Sequence, residues 1–127
     1  MQESNVYPIR PLTPIPGWVY IIEWQIVDGM PFVKLGGTTR DPSIRLKELE
    51  YQLINQLDLF NTPQLYAAVH VDDVWQVENT AHKLLQPYAT DRMEYYNQHP
   101  AFLMRALSRA VYMVGCLPKI KKSREQK

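Results

Sequence analysis

Only one cysteine, Cys116, occurs in 127 residues. It can form no internal disulfide and has no cysteine partner for a zinc site, which predicts a protein of a reducing, cytoplasmic compartment. Long apolar runs are also missing. None approaches the ~20 residues of a membrane span, so no membrane insertion is expected. The start, MQESNVYPIR, lacks a basic stretch followed by an apolar one, so no secretory signal is expected either. Neither sign of charge dominates, with 14 Lys and Arg against 13 Asp and Glu and a net charge of +1. Attraction to nucleic acid must come from where the basic residues stand, because the balance alone creates no field. Of the 5 glycines, none sets up a Walker loop, since no lysine follows Gly36-Gly37 at the required distance. The spaced triple glycine of dinucleotide folds is missing as well. No nucleotide cofactor is expected.

The chain is of a length for one domain with a real core. Pro8, Pro11, Pro14 and Pro16 make residues 1–16 an extended arm. WVYIIEWQIV after Gly17 is aromatic and β-branched and reads as a strand. Asp28-Gly29 signals a hairpin turn into a second strand, PFVKLG. Asp41-Pro42 has the form of a helix cap followed by proline at the first helical position. Leu46, Leu49, Leu53 and Leu57 repeat behind it, which predicts a helix over about 42–57. QLYAAVHV alternates as a third strand. Asp72 or Asp73 would then start a helix with Val74, Val77, Ala81, Leu84, Leu85 and Tyr88 on its apolar stripe, ended near Pro87. RMEYYN suits a short edge strand, and Pro100 to about Val114 suits a helix with Phe102, Leu103, Leu107 and Val111 inward. The expected fold is α+β, order β-β-α-β-α-(β)-α, with a three-stranded antiparallel sheet flanked by helices. Residues 17–115 form the domain, and residues 116–127 a basic tail.

Two features carry chemistry. In VKLGGTTRDPSIRLKEL, Arg40 and Arg45 flank a helix start, where cations oppose the macrodipole and suit an anion between them. Thr38 and Thr39 cap or turn the chain as readily as they touch a phosphate. Glu78 and His82, four apart, share a helix face. A carboxylate suits Mg²⁺, and a carboxylate with imidazole suits Mn²⁺ or Zn²⁺, but two ligands without a third do not make a closed zinc site.

These blocks together resemble the GIY-YIG endonuclease superfamily, in particular its short phage and bacterial branch. Val19-Tyr20-Ile21 matches the end of the first half-motif and Lys34-Leu35-Gly36 a Lys-Ile-Gly form of the second. GTTRDPSIRLKEL matches that branch's Gly-x-Thr-x-Asp-Pro-x-x-Arg-Leu-x-x-Leu pattern, VENTAHKLL its glutamate-bearing helix, and MEYY its Glu-Trp-Phe segment. The resemblance implies DNA phosphodiester hydrolysis with one divalent cation, Mg²⁺ or Mn²⁺, held by Glu78. Tyr20, Lys34, Arg45 and Glu78 would be catalytic, with Thr38, Arg40 and His82 toward the DNA. The general base stays open between Tyr20 and Lys34, because Lys34 stands where much of the superfamily has a tyrosine. Glu94 is expected to support the fold or rim the groove. The alternative is an inactive domain of this type that binds nucleic acid or a protein, with a protein partner or a second copy meeting the N-terminal arm.

The hairpin supplies a geometric condition. A strict two-residue turn at Asp28-Gly29 would pair Tyr20 with Gly37 and Lys34 with Glu23, pointing Tyr20 and Lys34 to opposite faces. A shared site therefore requires a loop of odd length or a bulge.

Overall fold

The computed structural model describes residues 13–24, 31–57 (side chains through Tyr51), 63–90 and 94–115. Most of the proline-rich arm, the Asp28-Gly29 turn and the basic tail lie outside the described residues. The elements are β1 (Gly17–Trp24), β2 (Phe32–Thr38), α1 (Pro42–Leu57), β3 (Gln64–Val71), α2 (Val74–Leu84), a 3-10 turn (Gln86–Tyr88), β4 (Tyr95–Tyr96) and α3 (Pro100–Gly115).

The α+β class is as expected, but among the described residues the sheet has four antiparallel strands, ordered β3-β1-β2-β4, where a three-stranded sheet with a further short edge strand left open was expected. The fourth is the two-residue Tyr95–Tyr96, which pairs with Lys34 and Val33 at the edge of β2. So short a strand carries almost no alternation of its own, and it falls inside the segment 92–97 expected as a short edge strand.

β1 lies in the middle and is covered on both faces, which explains its nearly unbroken apolar run. On one face Val19, Ile21, Val33, Leu35 and Tyr96 pack with Val74, Val77 and Ala81 of α2 and Leu103, Leu107 and Ala110 of α3. On the other, Tyr20, Ile22 and Trp24 pack with Leu49 of α1, and Phe32, Leu46, Ala68 and Tyr95 lie against them. Ile15, in the expected arm, packs on the α2 side, and its carbonyl accepts the Val74 N–H at 2.8 Å.

Local chemistry sets the helix ends. The Asp41 carboxylate accepts the Ser43 N–H at 2.9 Å, and Pro42 opens α1. Asp73 occupies the cap position of α2 without a side-chain cap bond. Pro87 falls in the 3-10 turn after that helix ends. Tyr88 leaves the apolar stripe, half-exposed, and meets Phe102 edge-on. In α3, Phe102 and Val111 are only partly buried, and Ala110 is a fully buried member of the inward face.

Candidate active site

The hairpin ladder pairs Trp24 with Phe32, Ile22 with Lys34 and Tyr20 with Gly36. Seven residues, 25–31, join the strands, and this odd number meets the condition for a shared face. Tyr20 and Lys34 therefore project to the same side, toward α1. A separate irregularity, at Ile21/Ile22 against β3, shifts register on the other flank of β1.

Beyond Lys34 the edge of β2 has no strand beside it among the described residues, because β4 ends where Tyr95 meets Lys34 and Glu94 turns away. Gly36 and Gly37 lie on this open stretch, one toward each face. A Cβ on Gly36 would sit 2.5 Å from the Tyr20 hydroxyl, and one on Gly37 would sit 2.9 Å from Glu78 Oε1. The paired glycines thus let a phenol from one face and a carboxylate from the other close on the same piece of backbone.

On the α1 side, Arg45 Nε donates to the Tyr20 hydroxyl at 3.3 Å. Glu48 accepts from both Arg45 Nη1 at 3.1 Å and Arg40 Nη2 at 2.9 Å, so one carboxylate holds the two guanidinium groups. These bonds lower the Glu48 pKa, Arg40 first and Arg45 second. Thr38 is buried, and its hydroxyl accepts the Arg40 N–H at 3.1 Å. It turns the chain toward α1.

On the α2 side, His82 is held inward. Its Nδ1 lies 2.6 Å from the Tyr96 hydroxyl, and its Nε2 lies 3.5 Å from Glu78 Oε2. That Nε2 is buried and has no hydrogen-bond partner. Glu94 joins the halves: its carboxylate accepts from Lys34 Nζ and stands near Glu78 and His82. It takes a left-handed backbone conformation, φ 73°, rare for a non-glycine residue, and its carbonyl accepts the Leu35 N–H at 3.0 Å. Lys34 is almost wholly buried, with its ammonium 4.9 Å from the centre of the Tyr95 ring.

The electrostatics couple the two sides. Burial raises the Tyr20 pKa above that of a free phenol. The Arg45 bond and charge oppose the rise, and the Glu94 and Glu78 charges add to it. Tyr96 is pushed up to about 12 by burial and then by the same two carboxylates. Tyr20, Arg45 and the carboxylates thus act on one another within one site.

Glu78, His82 and Glu94 each offer one ligand atom, and these atoms all lie within 4.8 Å of one another. Two carboxylates and an imidazole with a free, buried nitrogen are a suitable donor set for a divalent cation. Of the expected site residues, Tyr20, Lys34, Arg45, Glu78 and His82 gather here. Arg40 stands at the rim, and Thr38 lies under the turn leading to it. Glu94, expected to support the fold or rim the groove, also stands here, beside Lys34, Glu78 and His82.

No curated protein and no solved structure matches the chain. The T5orf172 domain matches over residues 17–111, from the first residue of β1 into α3 and across every residue of the site, and the chain belongs to that family.

Proposed function

We propose that the protein is a metal-dependent endonuclease of the GIY-YIG type that hydrolyses DNA phosphodiester bonds. The observation that carries this is the approach of Tyr20 and Glu78 to adjacent glycines from opposite faces of the sheet, with Arg45 bonded to Tyr20. Family membership adds support, since the T5orf172 domain has GIY-YIG-related, nuclease-like associations.

In this mechanism Arg45 grips the scissile phosphate through the guanidinium edge it now shares with Glu48, and Arg40 takes a neighbouring phosphate. The Tyr20 oxygen accepts from Arg45, so its own hydrogen serves another acceptor. Its raised pKa makes it a hydroxyl that orients the attacking water in the free enzyme, not a phenolate base. Lys34 keeps its ion pair with Glu94 and serves as a positive charge at the sheet edge. Glu78 anchors Mg²⁺ or Mn²⁺, which when bound supplies Lewis-acid stabilisation of the charge developing on the phosphate. The water held by Tyr20 bonds to phosphorus and releases a proton to bulk solvent, one P–O ester bond breaks, and the departing oxygen takes up a proton from solvent.

The test is supercoiled plasmid incubated with Mg²⁺ or Mn²⁺ and wild-type protein, Glu78→Ala or Arg45→Ala. Nicking by the wild type alone is expected. No cleavage of any DNA form, or equal cleavage by all three, defeats the assignment, and binding without cleavage favours a DNA-binding domain.

A further inference from the structure

We propose that Glu78, His82 and Glu94 form a three-ligand cation site that takes a first-row transition-metal dication in preference to Mg²⁺. This deepens, and rests on, the assignment of Glu78 as the metal anchor, but it does not depend on cleavage.

The first ground is the donor set. Glu78 and His82 stand one helical turn apart on α2, and Glu94 reaches them from the turn before β4, with all three ligand atoms inside 4.8 Å. Bonds of about 2.0–2.2 Å to one ion place neighbouring donors roughly 3–4 Å apart, a contraction within reach of side-chain rotation. Two carboxylates, one of them shared with the Lys34 ammonium, attract a dication.

The second ground is His82 itself. Its Nε2 is buried, faces Glu78 and has no hydrogen-bond partner, an unfavourable position for a polar nitrogen unless something else occupies its lone pair. The other ring nitrogen is committed to the Tyr96 hydroxyl. Ligation through Nε2 puts the ring hydrogen on Nδ1, where it donates to the Tyr96 oxygen, the outer-sphere arrangement that orients metal-bound imidazoles.

The third ground is Glu94. Its carbonyl accepts the Leu35 N–H and its carboxylate accepts from Lys34, contacts that hold the side chain on the side of Glu78 and His82. Lys34 is the outer-sphere partner of one ligand as Tyr96 is of another.

An imidazole among the ligands sets the preference. Mg²⁺ favours oxygen donors and keeps most of its water, whereas Mn²⁺, Co²⁺ and Zn²⁺ accept nitrogen, with affinity rising in the Irving–Williams sense.

The experiment uses the full chain with Mn²⁺ and Mg²⁺ as probes. Pulsed electron paramagnetic resonance of Mn²⁺ bound to the wild type should show ¹⁴N coupling from the imidazole, a readout that needs no variant. His82→Gln should abolish that coupling and, by calorimetry, weaken Mn²⁺ binding by about tenfold or more, while Mg²⁺ affinity changes by less than about threefold. Tyr96→Phe should weaken Mn²⁺ by roughly tenfold through the lost outer-sphere partner. Circular dichroism confirms that each variant is folded. Absent ¹⁴N coupling in the wild type, equal Mn²⁺ affinity in wild type and His82→Gln, or no Mn²⁺ binding at millimolar concentration overturns the site. Mn²⁺ binding that is lost in Glu78→Ala yet shows no ¹⁴N coupling defeats this inference alone. Binding unchanged in Glu78→Ala defeats the anchor assignment as well.

Discussion

Tyr20 and Lys34 stand on the same face of the sheet, because Lys34 pairs with Ile22 and Tyr20 with Gly36 in one even ladder. The seven-residue connection sets this parity, and a two-residue turn would have sent one of them to the α2 side. From this face Tyr20 meets Arg45 and Lys34 meets Glu94.

Gly36→Ala tests how tightly that face is closed. The new methyl would lie 2.5 Å from the Tyr20 hydroxyl and 2.8 Å from Cζ, so the rigid ring must tilt away and lose Arg45. Overpacking of this kind costs about 1–3 kcal/mol. Urea unfolding should show a lower midpoint with an unchanged slope, and nicking should fall with it.

The Lys34–Glu94 pair is unevenly buried, and the two single substitutions should differ accordingly. The Lys34 side chain is 5% exposed and that of Glu94 40%. Lys34→Met leaves a carboxylate that water can reach, for a loss of about 1 kcal/mol, while Glu94→Gln leaves a buried ammonium without its counter-charge, for about 2–3 kcal/mol. A double-mutant cycle by chemical denaturation should return a favourable coupling, and the double variant should be more stable than Glu94→Gln alone.

Much of this fold is legible in the sequence because its signals are local. Asp41-Pro42 marks the start of α1, the β-branched and aromatic run marks β1, and the apolar spacing of Val74, Val77 and Ala81 marks the buried face of α2. What escapes depends on distant partners. The segment around Tyr95–Tyr96 is legible as a short edge strand, but its place beside β2 is not. Glu94 was expected at the fold or the groove rim, but the left-handed turn that brings it to Lys34 has no signal in the sequence. The parity of the hairpin could be posed as a condition, but it is decided by how Trp24 and Phe32 pair. His82 was expected to face DNA, yet its spacing from Glu78 equally allows the inward position it takes against Tyr96.

Glu48 bridges Arg40 and Arg45, the two guanidinium groups proposed to take DNA phosphates. Glu48→Gln should free both guanidinium groups and remove a competing negative charge. DNA affinity at low salt is expected to rise about three- to tenfold, with a steeper loss as salt increases, since more phosphate contacts release more counterions. Fluorescence anisotropy with a labelled duplex across a salt series measures both. Unchanged affinity would mean that these arginines do not meet the DNA backbone.

Alkaline pH gives a further test at Tyr20. Burial raises its pKa in the folded protein, so the folded state favours the protonated phenol more than the unfolded chain does. The resulting stabilisation is fully present below the unfolded value of about 10 and is lost as pH rises through the higher folded value. Thermal melts should therefore show a midpoint that falls above about pH 10 and a shallower fall in Tyr20→Phe, which has no proton to release. The same shift bears on catalysis. A phenol that remains protonated through neutrality gives no ionisation step there, so the pH–rate profile of the wild type should lack a limb that disappears in Tyr20→Phe. A limb near neutrality that vanished with the hydroxyl would instead identify Tyr20 as the base.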